Sequence, residues 1–178
     1  MRSALLSLVL FLVATPAFAD RAAAEALFTE GRKLMDEGNY AAACAKLEAS
    51  NKEDPGIGTQ LNLAMCWEKL GRSASAWAMY MQVANAMTSN GRNDRAQFAQ
   101  SHAAALLPTL SKLAITAPQG TTSIRVDGAP WSAAVTGIPT PIDPGRHTID
   151  ATAPSKPSFR RVVDVPGNAA TVTVAVTF

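Results

Sequence analysis

Two histidines and two cysteines are all that the 178 residues offer of the side chains most often found at catalytic and metal centres. His102 and His147 stand in different parts of the chain and read as packed or solvated residues rather than reactive ones. The sequence contains no glycine-rich phosphate loop ending in Lys and Ser or Thr, and it also lacks H-E-x-x-H, G-x-S-x-G and Cys-x-x-Cys. Paired carboxylates occur at Asp36-Glu37 and Glu53-Asp54, but both pairs fall at expected helix ends, where water solvates them. Asp127-Gly128 reads as a turn, because the Asp-x-Asp-x-Asp-Gly spacing of a calcium loop is missing. The expectation is a chain that is not an enzyme, with no catalytic residue, no cofactor and no metal ligand.

An excess of charge of one sign is lacking as well. Residues 20–112 carry ten basic and ten acidic side chains, and residues 113–178 carry five and four. Neither stretch has the basic surplus of a protein that binds nucleic acid or an anionic membrane. A long hydrophobic run is also absent: a spanning helix needs about 20 apolar residues, and Leu5 to Ala14 provides only about half of that. Preceded by Arg2 and closed by Pro16-Ala17-Phe18-Ala19 before the polar Asp20, this run has the form of a secretory signal peptide with an A-x-A cleavage site. Residues 1–19 are therefore expected to be removed after Ala19, leaving no membrane span and a periplasmic or secreted protein. No Cys follows the small residues, which argues against a lipid-modified N-terminus.

What remains changes character near Lys112. Before it, Ala, Leu, Met, Glu and Gln dominate, all good helix formers; after it come Thr, Val, Ile, Pro and Gly. The fold class expected is α+β in two modules, residues 20–111 helical and residues 112–178 a small antiparallel β-sandwich. In the helical part Ala26, Leu27, Leu34 and Met35 recur at helical spacing, and Gly38-Asn39 stops one helix and starts the next. The second helix carries Tyr40, Ala43, Cys44 and Leu47 and ends before Asp54-Pro55. The plan then repeats, with Leu61, Leu63, Ala64 and Trp67 on one helix, Gly71 at its end, and Ser73 placed to cap another carrying Ala76, Trp77, Tyr80 and Val83. Placing Gly38 over Gly71 sets Gly31 over Ala64, Leu34 over Trp67, Ala43 over Ala76 and Leu47 over Tyr80, a period of 33 residues. Small residues thus recur where helices cross closely and large ones where they fill the gap. A further helix, from about Asn93 to Leu107, is expected to cap the array, with Pro108 ending it.

These positions resemble the tetratricopeptide repeat, whose small residue, turn Gly, aromatic, Ala and closing Pro correspond here to Gly31, Gly38, Tyr40, Ala43 and Pro55. The second copy departs from the pattern, with Ser73 in place of the aromatic and Asn90-Gly91 instead of the closing Pro. The resemblance implies a protein or peptide ligand in the cell envelope, held in the groove lined by the first helix of each pair. The positions facing that groove are Phe28, Arg32, Met35, Leu61, Asn62, Met65 and Lys69. Asn62 stands near the place where peptide-clamping relatives bond the ligand backbone, and Arg32 can meet a carboxylate. The full basic clamp is absent, and the competing use of this face is packing against the β module or self-association with another copy.

In an exported chain two cysteines permit one disulfide. Cys44 and Cys66 fall on helices that are neighbours in a repeat array, and a bond between them closes a loop of about 20 residues, worth roughly 3 kcal/mol. The alternative is a pair of small buried hydrophobes whose Cα atoms stand too far apart.

The last residues, Thr171 to Phe178, alternate strictly and put Val172, Val174, Val176 and Phe178 on one face of a strand. Leu113 with Ile115, Ile124 with Val126, His147 with Ile149 and Ala151, and Val163 with Val165 mark four more, separated by Pro- and Gly-containing turns. The segment from Pro141 to Asp150, following Val126-Asp127-Gly128, looks like the PEGA domain, a surface-associated β module with a Pro-x-Gly motif before a strand. Asp143 and Pro144 replace the expected Glu-Gly order, so the likeness rests on the Pro-Gly turn and the strand after it. Leu106, Leu107 and Leu110 are expected to dock the capping helix on this module. Three functions compete: an envelope scaffold that binds a partner through the repeats; a wall-polymer or polysaccharide binder using Trp131 as an aromatic platform; and, least supported by the motifs, a hydrolase with scattered carboxylates.

Overall fold

Among the described residues five helices precede the first strand: α1 (Pro16–Asp36), α2 (Tyr40–Glu53), α3 (Ile57–Lys69), α4 (Ser73–Ser89) and α5 (Asn93–Leu106). The computed structural model describes residues 16–178, with side chains from Asp20 onward. The expected signal peptide, residues 1–19, lies outside the described residues except for the four that open α1. No helix among the described residues is long and apolar enough to cross a membrane.

One turn is used three times. α1 ends at Gly38 (φ 75°), whose amide donates to the Met35 carbonyl (3.0 Å) while the Asn39 amide reaches back to Leu34 (2.9 Å). The same two bonds close α3 at Gly71, to Glu68 (3.1 Å) and from Arg72 to Trp67 (2.9 Å), and close α4 at Gly91, to Thr88 (3.0 Å) and from Arg92 to Met87 (2.9 Å). Only glycine adopts this left-handed position without a steric cost, so the three glycines fix three reversals of direction.

Between the turns the 33-residue pattern becomes packing. Ala43, Leu47, Ala64, Ala76 and Tyr80 are all fully buried, so positions equivalent in the alignment do equivalent work. At Gly31 a Cβ would stand 2.9 Å from Leu47 Cγ; the closest crossing of α1 and α2 therefore depends on having no side chain there. Cys44 and Cys66 are disulfide-bonded, their Cα atoms 5.6 Å apart, and the bond ties α2 to α3 across the boundary between the two repeats. α5 covers α4 with Ala96, Ala99 and Ala103. It ends at Leu106, and Pro108 turns the chain through a short 3-10 segment. The three leucines at this boundary do not act together: Leu110 is buried, Leu106 packs back against the helical core, and Leu107 is exposed. The 3-10 turn after Leu106 points successive side chains in different directions, so they cannot share one docking face.

The β region has seven strands: β1 (Lys112–Thr116), β2 (Ser123–Val126), β3 (Ala129–Pro130), β4 (Thr140–Pro141), β5 (Gly145–Thr152), β6 (Phe159–Val165) and β7 (Thr171–Ala175). They form two sheets, ordered β4-β1-β7 and β3-β2-β5-β6. Leu113, Ile115, Ile124, Val126, Ile149, Ala151, Val174 and Val176 fill the space between them, and Val172 and Phe178 complete the face expected from the alternating C-terminal segment. One pairing departs from the antiparallel expectation, because β1 and β7 run parallel. A parallel pair needs a long crossover, and here the whole second sheet supplies it. Asp127 (φ 52°) and Gly128 (φ 79°) make the tight turn between β2 and β3, both central residues at positive φ as a twisted two-residue hairpin requires.

Candidate functional site: the face of α1 and α3 and the joint between the modules

Phe28, Arg32 and Met35 fall at helical intervals on α1, and Leu61, Met65 and Lys69 do so on α3, the first helix of each repeat. α1 and α3 touch, so the two rows lie on adjoining helices. Phe28 and Met35 pack at the edge of the core around Leu47, and Leu61 and Met65 at the edge of the core around Tyr80. All four are half-buried, whereas Arg32 and Lys69 are exposed. Each row thus holds two half-buried apolar side chains packed against a core cluster and one exposed cation, Arg32 on α1 and Lys69 on α3. Asn62 is less free than its position implied: its amide nitrogen donates one N–H to the Gly58 carbonyl of its own helix (2.8 Å), leaving its second N–H and the side-chain oxygen. A cleft of about 260 Å³ opens beside Phe28, between Arg21 and Glu25 of α1 and Gly58 and Thr59 of α3.

A second polar cluster joins the two modules. α4 was expected to carry Ser73 as its own cap, but Ser73 is already helical, and Arg72, at the cap position, supplies no side-chain bond. The missing acceptor comes from Asp143 of the β region, whose Oδ1 accepts the Ser75 amide (2.8 Å) and whose Oδ2 accepts the Ser75 hydroxyl (2.6 Å). A carboxylate at this place satisfies an orphan amide and faces the positive end of the helix dipole. Arg72 reinforces the joint, its Nε donating to Asp143 Oδ2 (3.3 Å) and its Nη1 to Glu48 Oε1 of α2 (2.5 Å). Glu48 Oε1 also accepts the Trp67 indole N–H (2.7 Å), and the guanidinium lies 4.7 Å from the centre of the Trp67 ring. One arginine therefore connects the first repeat, the second repeat and the β region.

Both histidines have partners. His147 Nδ1 lies 2.6 Å from Asp127 Oδ2 and its Nε2 lies 2.8 Å from the Asp143 carbonyl, which links the β2–β3 turn to the capping loop. Burial acts to raise the Asp127 carboxyl, but the Thr148 amide and His147 outweigh it and hold the group below its ordinary value. In the helical region Tyr80 donates its hydroxyl to Glu68 Oε2 (2.7 Å), and His102 Nδ1 lies 2.9 Å from the same oxygen. Burial first, then the hydrogen bond and charge of Glu68, raise the Tyr80 phenol above its ordinary value. Each of these groups is committed to holding two elements together.

Trp131 packs against the sandwich core while lining a cleft of about 430 Å³ with Gln119, Thr121, Thr122 and Ser123. Its indole nitrogen is buried and has no hydrogen-bond partner among the described residues. No group of three His, Cys, Asp or Glu side chains among the described residues converges as a metal site. Glu48, Arg72, Ser75 and Asp143 form a connected polar cluster, and the sequence pattern assigned none of them a site role, marking Asp143 only as part of the Pro-Gly turn. The one available signal was an α4 N-terminus with no Asp, Asn or Thr before it. No family model, curated protein or solved structure matches the chain.

Proposed function

We propose that the chain is an exported, non-catalytic scaffold of the cell envelope, in which tetratricopeptide-like repeats hold a protein or peptide and a PEGA-like β region positions them. The observation that carries this reading is the state of Phe28, Met35, Leu61 and Met65: half-buried on adjoining first helices, each packed against a core cluster and still partly exposed. Such residues lose little conformational freedom when a ligand covers them, and Met and Phe adapt to varied apolar side chains. Arg32 and Lys69, exposed in the same rows, suit a ligand with acidic or carboxylate groups.

The test is site-specific photo-crosslinking from Arg32 and from Lys69 in cells that export the protein. The expected result is one and the same protein trapped from both positions, lost when Met65→Glu is added to a chain that keeps its helical circular dichroism. Trapping from neither position, or trapping that Met65→Glu leaves unchanged, would refute the proposal.

A further inference from the structure

The four-stranded sheet ends at β6, which pairs with β5 on one side and, among the described residues, with no strand on the other. The direction of its free groups follows from the ladder. The Asp127 amide donates to the Thr148 carbonyl, so even-numbered residues of β5 turn their backbone toward β2 and odd-numbered ones toward β6. Through the register His147↔Val163 and Ile149↔Arg161, the odd residues of β6 answer β5. Arg160, Val162 and Asp164 therefore direct their N–H and C=O groups away from the sheet. Their side chains share its outer face and are exposed, Val162 at 42%. No backbone hydrogen bond from these three to another segment occurs among the described residues.

Charges on that outer face alternate from strand to strand. Arg125 of β2 stands opposite Asp150 of β5, which stands opposite Arg160 of β6, with Arg160 Nε 2.6 Å from Asp150 Oδ1. Two rows along, past Thr148 and Val162, Arg146 stands opposite Asp164. We infer that β6 is a self-association edge, pairing antiparallel with β6 of a second copy about a two-fold axis through Val162. In that register Arg160 of each chain meets Asp164 of the other, and Val162 meets its own symmetry mate. Both charge rows then run on across the junction with unlike neighbours throughout. Centring the pair on Arg160, Arg161 or Asp164 instead sets like charges face to face, and centring it on Val163 puts Arg160 opposite Pro166 and Asp164 opposite Val162, so only the Val162 register gives every charge on the outer face an unlike neighbour. Neither a proline nor a glycine lies within β6 to blunt the edge. The pairing is isologous and closes on itself as a dimer.

Sedimentation equilibrium of the full chain across a concentration series tests this. The wild type is expected to move from one chain toward two. Arg160→Asp alone and Asp164→Arg alone each set two like-charge pairs across the junction and are expected to weaken self-association about tenfold or more. An equimolar mixture of these two variants restores unlike pairs at both ends and is expected to associate again, an outcome that loss of folding cannot mimic. Should either reversal unfold the sandwich, Val162→Pro serves instead, since it deletes only an outward amide and is expected to leave a monomer. A wild type that stays a single chain up to its solubility limit, or two reversal variants that associate as the wild type does, would overturn the proposal.

Discussion

In the helical region each helix packs on the next in sequence, whereas in the β region the first strand is held by the last. The helical array is closed by short loops, three copies of one glycine turn, and a disulfide between residues 22 apart. The sandwich is closed only when β7 has returned beside β1, and its four-stranded sheet ends in β6, which among the described residues is paired on one side only. Local closure tolerates change in one repeat while the next stands; long-range closure makes the sandwich cooperative and dependent on its turns. The largest expected effect that separates the two follows from removing the crosslink. Cys44→Ala with Cys66→Ala should cost about 3 kcal/mol, seen as a lower denaturation midpoint of the helical circular dichroism. Amide exchange in β1, β5 and β7 should change far less. An equal loss of protection in the strands would mean that the two regions unfold as one body and that the contrast is only topological.

The same contrast explains what could be read from the residues. Gly31, Gly38, Ala43 and Leu47 have partners within a few turns of helix, so their spacing carries the packing, and the second copy at Ala64, Gly71, Ala76 and Tyr80 repeats it. Alternation at Val172, Val174 and Val176 marks a strand but is silent about its neighbour, which is why the parallel β1–β7 pair was not legible. The disulfide could be proposed because adjacency of α2 and α3 follows from the repeat. In the candidate binding face, helical spacing placed Phe28, Met35, Leu61 and Met65 correctly on α1 and α3. It could not foresee that Asn62 would commit one of its amide N–H groups to Gly58. Asp143 was hidden for a stronger reason: its partners at Ser75 and Arg72 lie about 70 residues earlier, at an intermodule contact that no local pattern encodes.

That contact is where the comparison can next be broken. Asp143→Ala removes the acceptor of the Ser75 amide and the charge beside the α4 N-terminus, a change worth about 1 kcal/mol for a helix cap. If Asp143 couples the modules, calorimetry should show the unfolding transitions of the helices and the sandwich moving apart, with Ser75 and Ala76 exchanging faster. Unchanged coupling would mean that the joint is held by Leu110 and its neighbours, and that Asp143 only finishes the helix.

The smallest effect separates the regions by pH. Asp127 titrates below its ordinary value of 3.8 in the fold, so it adds stability above that range and loses it as the pH falls through the folded value. Because its side chain is 50% exposed, the contribution is modest, about 1 kcal/mol. Tyr80 has the opposite sign: its phenol is raised above 10.0, so its contribution is complete below that value and is lost as the pH rises beyond it. Acid should therefore loosen the β2–β5 ladder before the helices, and alkali should loosen the α3–α4–α5 contact before the strands. Asp127→Asn keeps an acceptor for Thr148 and tolerates the positive φ, so its turn should persist while the acid sensitivity of the sandwich falls. Tyr80→Phe should flatten the alkaline loss in the helices and leave the acid limb unchanged. Strands that fail first in both directions would show that the sandwich is the weaker region at every pH, with neither Asp127 nor Tyr80 deciding which half opens.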